Sequence, residues 1–175
     1  MWSSEVTNMI ITGIWETLYM TLVSTLVGYV IGLPMGIILT VSDKDGIKPN
    51  AVLYKILDVI ANIVRSVPFI ILLVLLIPFT RLVVGKSYGS TATIVPLVIA
   101  AAPYIARMVE SSLKEVDAGV IEAARSMGAS NFTIITKVML VEARTSLLVG
   151  ATITLGTILG YSAMSGEIGR ASCRE

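Results

Sequence analysis

Few side chains in this chain could do covalent chemistry. There is no histidine and one cysteine, Cys173. A single thiol cannot close a disulfide within the chain, and no His/Cys metal site is expected. Histidine-based acid–base chemistry is excluded, and no apolar stretch holds clustered carboxylates. No catalytic set, cofactor or metal is therefore expected, and the chain is not read as an enzyme. Two spellings imitate sites. Gly85-Lys86-Ser87 resembles the end of a phosphate-binding loop, but that pattern needs a glycine where Thr80 stands. Asn131-Phe132-Thr133 spells a glycosylation acceptor, which on a cytoplasmic loop would never meet its enzyme.

What remains is charge and apolar surface at helical spacing between residues 107 and 144. Val109, Leu113, Val116, Val120 and Ala124 recur in steps of four, three, four and four, and Met127 continues them. That is one apolar stripe at the helical period. Glu110 and Lys114 stand four apart in the favourable order, on the wet side of this stripe. Gly128 suits a left-handed helix end, and Ser130 or Asn131 can cap a second helix carrying Phe132, Ile134, Ile135, Val138 and Met139. The stretch thus reads as two short helices joined at a glycine elbow. Its polar face mixes both signs, which favours a protein partner over a lipid anchor.

The elements that must hold this elbow are apolar. The chain is 55% hydrophobic and 14% charged, with mean hydropathy +0.86. Soluble domains are about 25% charged. The fold class expected is all-α, a polytopic helical membrane protein. Spans of about 20 apolar residues are expected at about 17–42, 57–80, 87–106 and 145–166, in a single domain over 1–175. Residues 43–55 read as a polar loop. Gly28, Gly32 and Gly36 form a four-residue ladder on one face of the first span, a spacing that lets another helix approach closely. Pro34 is expected to bend that helix, and Pro68 and Pro78 to break the next. Thr21, Ser24, Thr25, Asn62 and Ser162 lie inside spans, but Ser and Thr commonly bond back to their own helix, so the substrate pathway stays unknown.

Lys and Arg set the orientation. Residues 43–65 and 107–144 together carry nine, and the other side carries four. Both polar segments are therefore expected in the cytoplasm and the N-terminus outside. The first 16 residues hold Glu5 and Glu16 and no Lys or Arg, which does not fit a cleavable signal. With a net charge of +1, nucleic acid is not an expected partner.

The run Glu122-Ala123-Ala124-Arg125-Ser126-Met127-Gly128, followed by Val138-Met139-Leu140, resembles the cytoplasmic loop of binding-protein-dependent ABC importer permeases. That pattern is E-A-A, three residues, G, nine residues, then I-x-L-P. Val138 replaces the isoleucine, and Val141 stands where the family has proline, so the fourth span is expected to bend less at its start. The resemblance implies that Asp117, Glu122, Ala123, Ala124, Arg125, Gly128 and Leu140 serve ATPase coupling. Glu122 would make polar contacts at the joint, Ala123 and Ala124 would allow close packing, and Gly128 would form the elbow.

Further runs resemble the bacterial methionine-uptake permeases: Arg65-Ser66-Val67-Pro68-Phe69, Ala101-Ala102-Pro103-Tyr104, 109–117 and Gly160-Tyr161-Ser162-Ala163-Met164. The likeness implies D/L amino-acid uptake across the bacterial inner membrane. It also implies a second copy of the permease, two ABC ATPase subunits, a substrate-binding lipoprotein and surrounding lipid. Such permeases have a fifth span, whereas residues 167–175 are polar and fit no element, so an atypical end lacking the last helix is expected. The alternatives are a secondary transporter or a non-transporting membrane scaffold. The first usually needs ionisable residues at mid-membrane, and the spans have none near their centres. Recovery of an ATPase through 107–144 separates the second from a permease.

Overall fold

The computed structural model describes residues 4–86 and 89–172, with 166–172 described for the backbone alone. Among these residues every regular element is helical. α1 (Ser4–Ser42) is 39 residues long, about 58 Å at 1.5 Å per residue. It overreaches the expected span of 17–42 because no proline lies between Ser4 and Thr17 and the one glycine there, Gly13, weakens a helix without ending it. Glu5 also sits in its first turn, where the dipole favours an anion. Residues 4–16 are exposed.

The expected loop 43–55 is shorter, because α2 (Ala51–Ser66) begins at once after Asn50, whose side chain accepts from Leu53 N–H at 3.1 Å. The turn between them folds back on α1. Lys48 N–H donates to Val41 O at 3.1 Å and Asn50 N–H to Ser42 O at 2.9 Å, which satisfies carbonyls at the helix end. Gly46 lies so close to the carbonyls of Thr40 and Val41 that a Cβ would collide with backbone.

The expected span 57–80 is not one helix. Val67 is extended at φ −85°, ψ 124°, as the residue before a proline tends to be. α3 (Phe69–Leu75) leaves α2 at 101°. Leu76 interrupts the chain again, and Pro78 sits in the first turn of α4 (Ile77–Val84). The helix containing the expected third span is α5 (Ser90–Lys114); residues 87 and 88 of that span lie outside the described residues. α5 runs eight residues into the expected loop 107–144, because Arg107, Glu110 and Lys114 pair with one another and the helix need not end at them. By length and composition α1, α5 and α9 (Arg144–Ser172) can each cross a membrane, and the bent pair α2 and α3 would make a fourth crossing. α9 carries the expected span 145–166. It also continues through the residues expected to fit no element, as far as Ser172; 173–175 lie outside the described residues.

α5 is the axis. Its contacts with α1 run from Gly28 beside Ala101 to Gly36 beside Val109, so the two helices are parallel. Its contacts with α9 run from Met108 beside Gly150 to Ser112 bonded to Ser146, so that pair is antiparallel. One apolar spine follows α5 through Leu97, Ile105, Val109 and Leu113. It takes in Met20 of α1, Phe69 of α3 and Ile158 of α9. Phe69 stacks on Tyr161 of α9, ring centroids 4.7 Å apart.

Candidate functional site

The glycine ladder of α1 makes the tightest contact. A Cβ built on Gly32 would stand 2.7 Å from the carbonyl oxygen of Ala102, and one on Gly36 would stand 2.6 Å from that of Ala106. At Gly28 the nearest atom is the tip of Ile105, at 3.0 Å. Backbone meets backbone at two of the three steps, so the space left by hydrogen is filled by α5 itself.

At the Lys114 end of the bundle, α2 is amphipathic in the inverted sense. Val52, Ile56, Ile60 and Ile63 are exposed. Tyr54, Asp58, Asn62 and Arg65, at steps of four, four and three, turn toward α5. Arg107 donates from Nη1 to Glu110 Oε2 at 2.6 Å and from Nη2 to Asp58 Oδ1, with Asn62 Oδ1 at 3.3 Å. Glu110 Oε1 accepts from Tyr54 OH at 3.1 Å and from Lys114 Nζ at 2.8 Å. Lys114 also reaches Asp43 Oδ2 at 2.7 Å. Arg65 lies 5.9 Å from the centroid of the Tyr104 ring. Five charges thus alternate from α2 through α5 to the residue after α1.

The Glu110–Lys114 spacing marked a pair on the wet side of a stripe. The pair forms, but Glu110 is 4% exposed. The pair's long-range partners, Tyr54 on Glu110 and Asp43 on Lys114, carry no local spacing signal; the Tyr54-Asp58-Asn62-Arg65 periodicity is the one available clue. The Lys114 ammonium beside Asp43 holds that carboxyl below its ordinary value of 3.8. The tie is therefore complete above that value and is lost only as pH falls through the lower folded one. Replacing Glu110 with Gln removes the central charge and leaves two cations to share the rim carboxylates. We expect a loss of about 3 kcal/mol of stability, measurable by unfolding of the purified protein in detergent. A loss under 1 kcal/mol would show the cluster to be solvated.

Beyond Lys114 the expected single stripe breaks. Asp117 caps α6 (Ala118–Ser126) by accepting from Gly119 N–H at 2.7 Å. Val109, Leu113 and Ala124 are buried, whereas Val120 is 40% and Met127 81% exposed, so they do not share one face. α6 ends in a Schellman motif. Gly128 has φ +80°, its N–H donates to Arg125 O at 3.0 Å, and Ala129 N–H donates to Ala124 O at 3.1 Å. Ser130 then caps α7 (Asn131–Thr133), accepting from Thr133 N–H at 3.3 Å. A π-helical segment follows over Ile134–Met139, then α8 (Leu140–Glu142). Ile134 and Met139 are buried in the same spine as Leu113, with Leu140 packed at its edge. The chain breaks at Ala143 before α9, although Val141 stands in the proline's place.

The site residues fall into two groups. Ala124 and Leu140 pack inward; Asp117, Glu122, Ala123, Arg125 and Gly128 are exposed. Among the described residues the side chains of Glu122 and Arg125 take no hydrogen bond or ion pair, so the joint contact implied for Glu122 is not made among them. Ala123 is likewise exposed. Met127 and Phe132, 81% and 75% exposed, flank the elbow; the stripe had assigned Met127 inward. Within the bundle Thr25 and Ser162 bond back to Thr21 O and Leu159 O, while Thr21 and Ser24 hydroxyls are buried without a hydrogen bond among the described residues.

The family profile described as binding-protein-dependent transport system inner membrane component matches residues 32–170. The D-methionine transport system permease protein MetI of Salmonella typhimurium is 55% identical over 158 residues, covering 90% of this chain and 73% of its own length. A probable D-methionine permease of Vibrio cholerae is 46% identical over 96% of this chain and 75% of its own. Among solved structures, a chain of an inward-facing MetNI methionine ABC transporter superposes with TM-score 0.94 at 53% identity, over 96% of this chain and 78% of that one. An amino acid ABC transporter chain superposes at 0.75 with 25% identity, over 94% and 74%. A profile spanning α1 to α9, together with relatives of the same fold over nearly the whole chain, identifies this protein as a member of the binding-protein-dependent transport system inner membrane component family, the permeases of ABC importers.

Proposed function

We propose that this chain is the membrane-spanning permease of a methionine importer, working as two copies with two ATPase subunits and a substrate-binding lipoprotein. The observation that carries the coupling role is the tip formed by α6 and its elbow. Met127 and Phe132 are exposed on either side of a closed Schellman turn, and Ala124, Ile134 and Met139 root that turn in the spine of the bundle. An apolar tip on a rigid root suits a groove on a protein that moves. Glu122 and Arg125 set polar groups beside the tip, free to meet that partner, while exposed Ala123 allows its close approach and Asp117 caps the helix that carries them. The Lys/Arg bias puts this end in the cytoplasm, where ATP is, and the N-terminus outside.

The substrate rests on the relatives named for D-methionine. The test is uptake of labelled methionine into proteoliposomes holding the permease with its ATPase and binding protein. Uptake is expected only with ATP and both partners, and unlabelled methionine should compete better than other amino acids. Phe132→Glu is expected to lower recovery of the ATPase with the permease by about tenfold, since it puts a charge into the apolar core of a contact. Uptake that survives omission of the ATPase would sink the reading in favour of an ion-driven carrier.

A further inference from the structure

The joint between α5 and α6 is short. Only Glu115 and Val116 separate Lys114 from the Asp117 cap. A displacement of α6 therefore arrives at Lys114, and the attachments of Lys114 decide where it goes. Within α5 the bonds among Arg107, Glu110 and Lys114 only stiffen the helix. Asp58 and Asp43 differ, because each ties α5 to another element: Asp58 brings in α2, and Asp43 the turn after α1.

α1 and α5 already touch backbone to backbone at Gly36 and Ala106. The Asp43–Lys114 bond pins the pair a second time, two turns further along. A helix held at two points cannot swivel on its neighbour. α2 has no such glycine contact; apart from Ala61, its one fully buried residue, the side chains that reach α5 are polar, namely Tyr54, Asp58, Asn62 and Arg65. Its attachment at this end depends on charge.

We propose that Asp43 and Asp58 are positioning residues for transport: they clasp the end of α5 to the turn after α1 and to α2, so that movement of α6 turns these elements as one body instead of being absorbed at residues 115–117. The proposal rests on the permease function argued above. The cluster holds three carboxylates and two cations, so removing one rim carboxylate leaves it balanced. Asp43 and Asp58 side chains are 19% and 31% exposed, against 5% for Glu110, so either can be neutralised without stranding a buried charge.

The test uses the complete transporter, with ATP hydrolysis and substrate uptake measured on the same proteoliposomes. D43N and D58N are expected to assemble and to hydrolyse ATP at near the unaltered rate, while uptake per ATP falls about tenfold. The charge-keeping D43E and D58E should recover most of that ratio. An unchanged ratio in both Asn variants overturns the proposal. So does an equal fall in the Glu variants, or failure of both Asn variants to assemble, which would make the carboxylates structural only. Failure of the permease reading itself would be seen in the unaltered transporter, as uptake that needs no ATP, an arm that a failed clasp leaves intact.

Discussion

Gly36→Leu is expected to yield no stable complex, and Gly36→Ala to cost about 3 kcal/mol, near the top of the range for overpacking. The reason is what the new carbon would meet. At Gly36 the obstacles are the Ala106 carbonyl oxygen at 2.6 Å and Val109 Cβ at 2.7 Å. Neither is the end of a flexible side chain, so relief requires α1 and α5 to separate along their length. At Gly28 the nearest obstacle is Ile105 Cδ1 at 3.0 Å, which can move aside. Gly28→Ala should therefore cost about 1 kcal/mol or less, with Gly32→Ala close to Gly36→Ala. Thermal unfolding of the purified complexes, with the fraction recovered monodisperse, gives the order. Equal losses at all three positions would mean that the helices are not in backbone contact.

Gly128→Val should leave the complex assembled and ATP hydrolysis in place, yet lower uptake per ATP about tenfold. Space is not the issue here: a Cβ at Gly128 meets nothing within 4 Å. The cost is conformational. With φ at +80°, a β-branched residue bears about 1–2 kcal/mol of strain, which corresponds to about tenfold in a rate or equilibrium. The strain is relieved by opening the Schellman turn, which re-aims Met127 and Phe132. Gly128→Asn, better tolerated in the left-handed region, should keep most of the coupling. Equal uptake per ATP in the Val and Asn variants would show that the turn's shape does not matter.

The two glycine effects differ in how far local pattern can reach. Gly128 is followed by a capping serine and preceded by a helical run, all within a few residues, so the turn is written locally. The ladder at 28, 32 and 36 marks a helix face just as locally, but nothing nearby says that residues 101–109 press on it. Charge misled most. Arg107, Glu110 and Lys114 suggested the edge of a span and a wet surface, because isolated charges belong in water. Their partners lie some fifty to seventy residues away at Asp58, Tyr54 and Asp43, and pairing carries α5 past the expected edge. The break at Val67 was signalled by Pro68; its 101° turn was not, since a proline removes a bond without setting an angle.

The parallel crossing of α1 and α5 has a consequence for how the chain assembles. Parallel neighbours cannot be joined by a short hairpin, so α2, α3 and α4 must be made and placed before Gly36 can find Ala106. About 70 residues separate the two, a wait of roughly 4–14 s at ordinary rates of synthesis. Throughout that interval α1 lies in the bilayer with its glycine face uncovered. Other newly made helices compete for that face, a second α1 among them, because the same small-residue spacing lets two helices pair with each other. The closest contact in the finished protein is therefore among the last to form, and the speed with which α5 follows α1 into the membrane governs the yield of correctly paired chains.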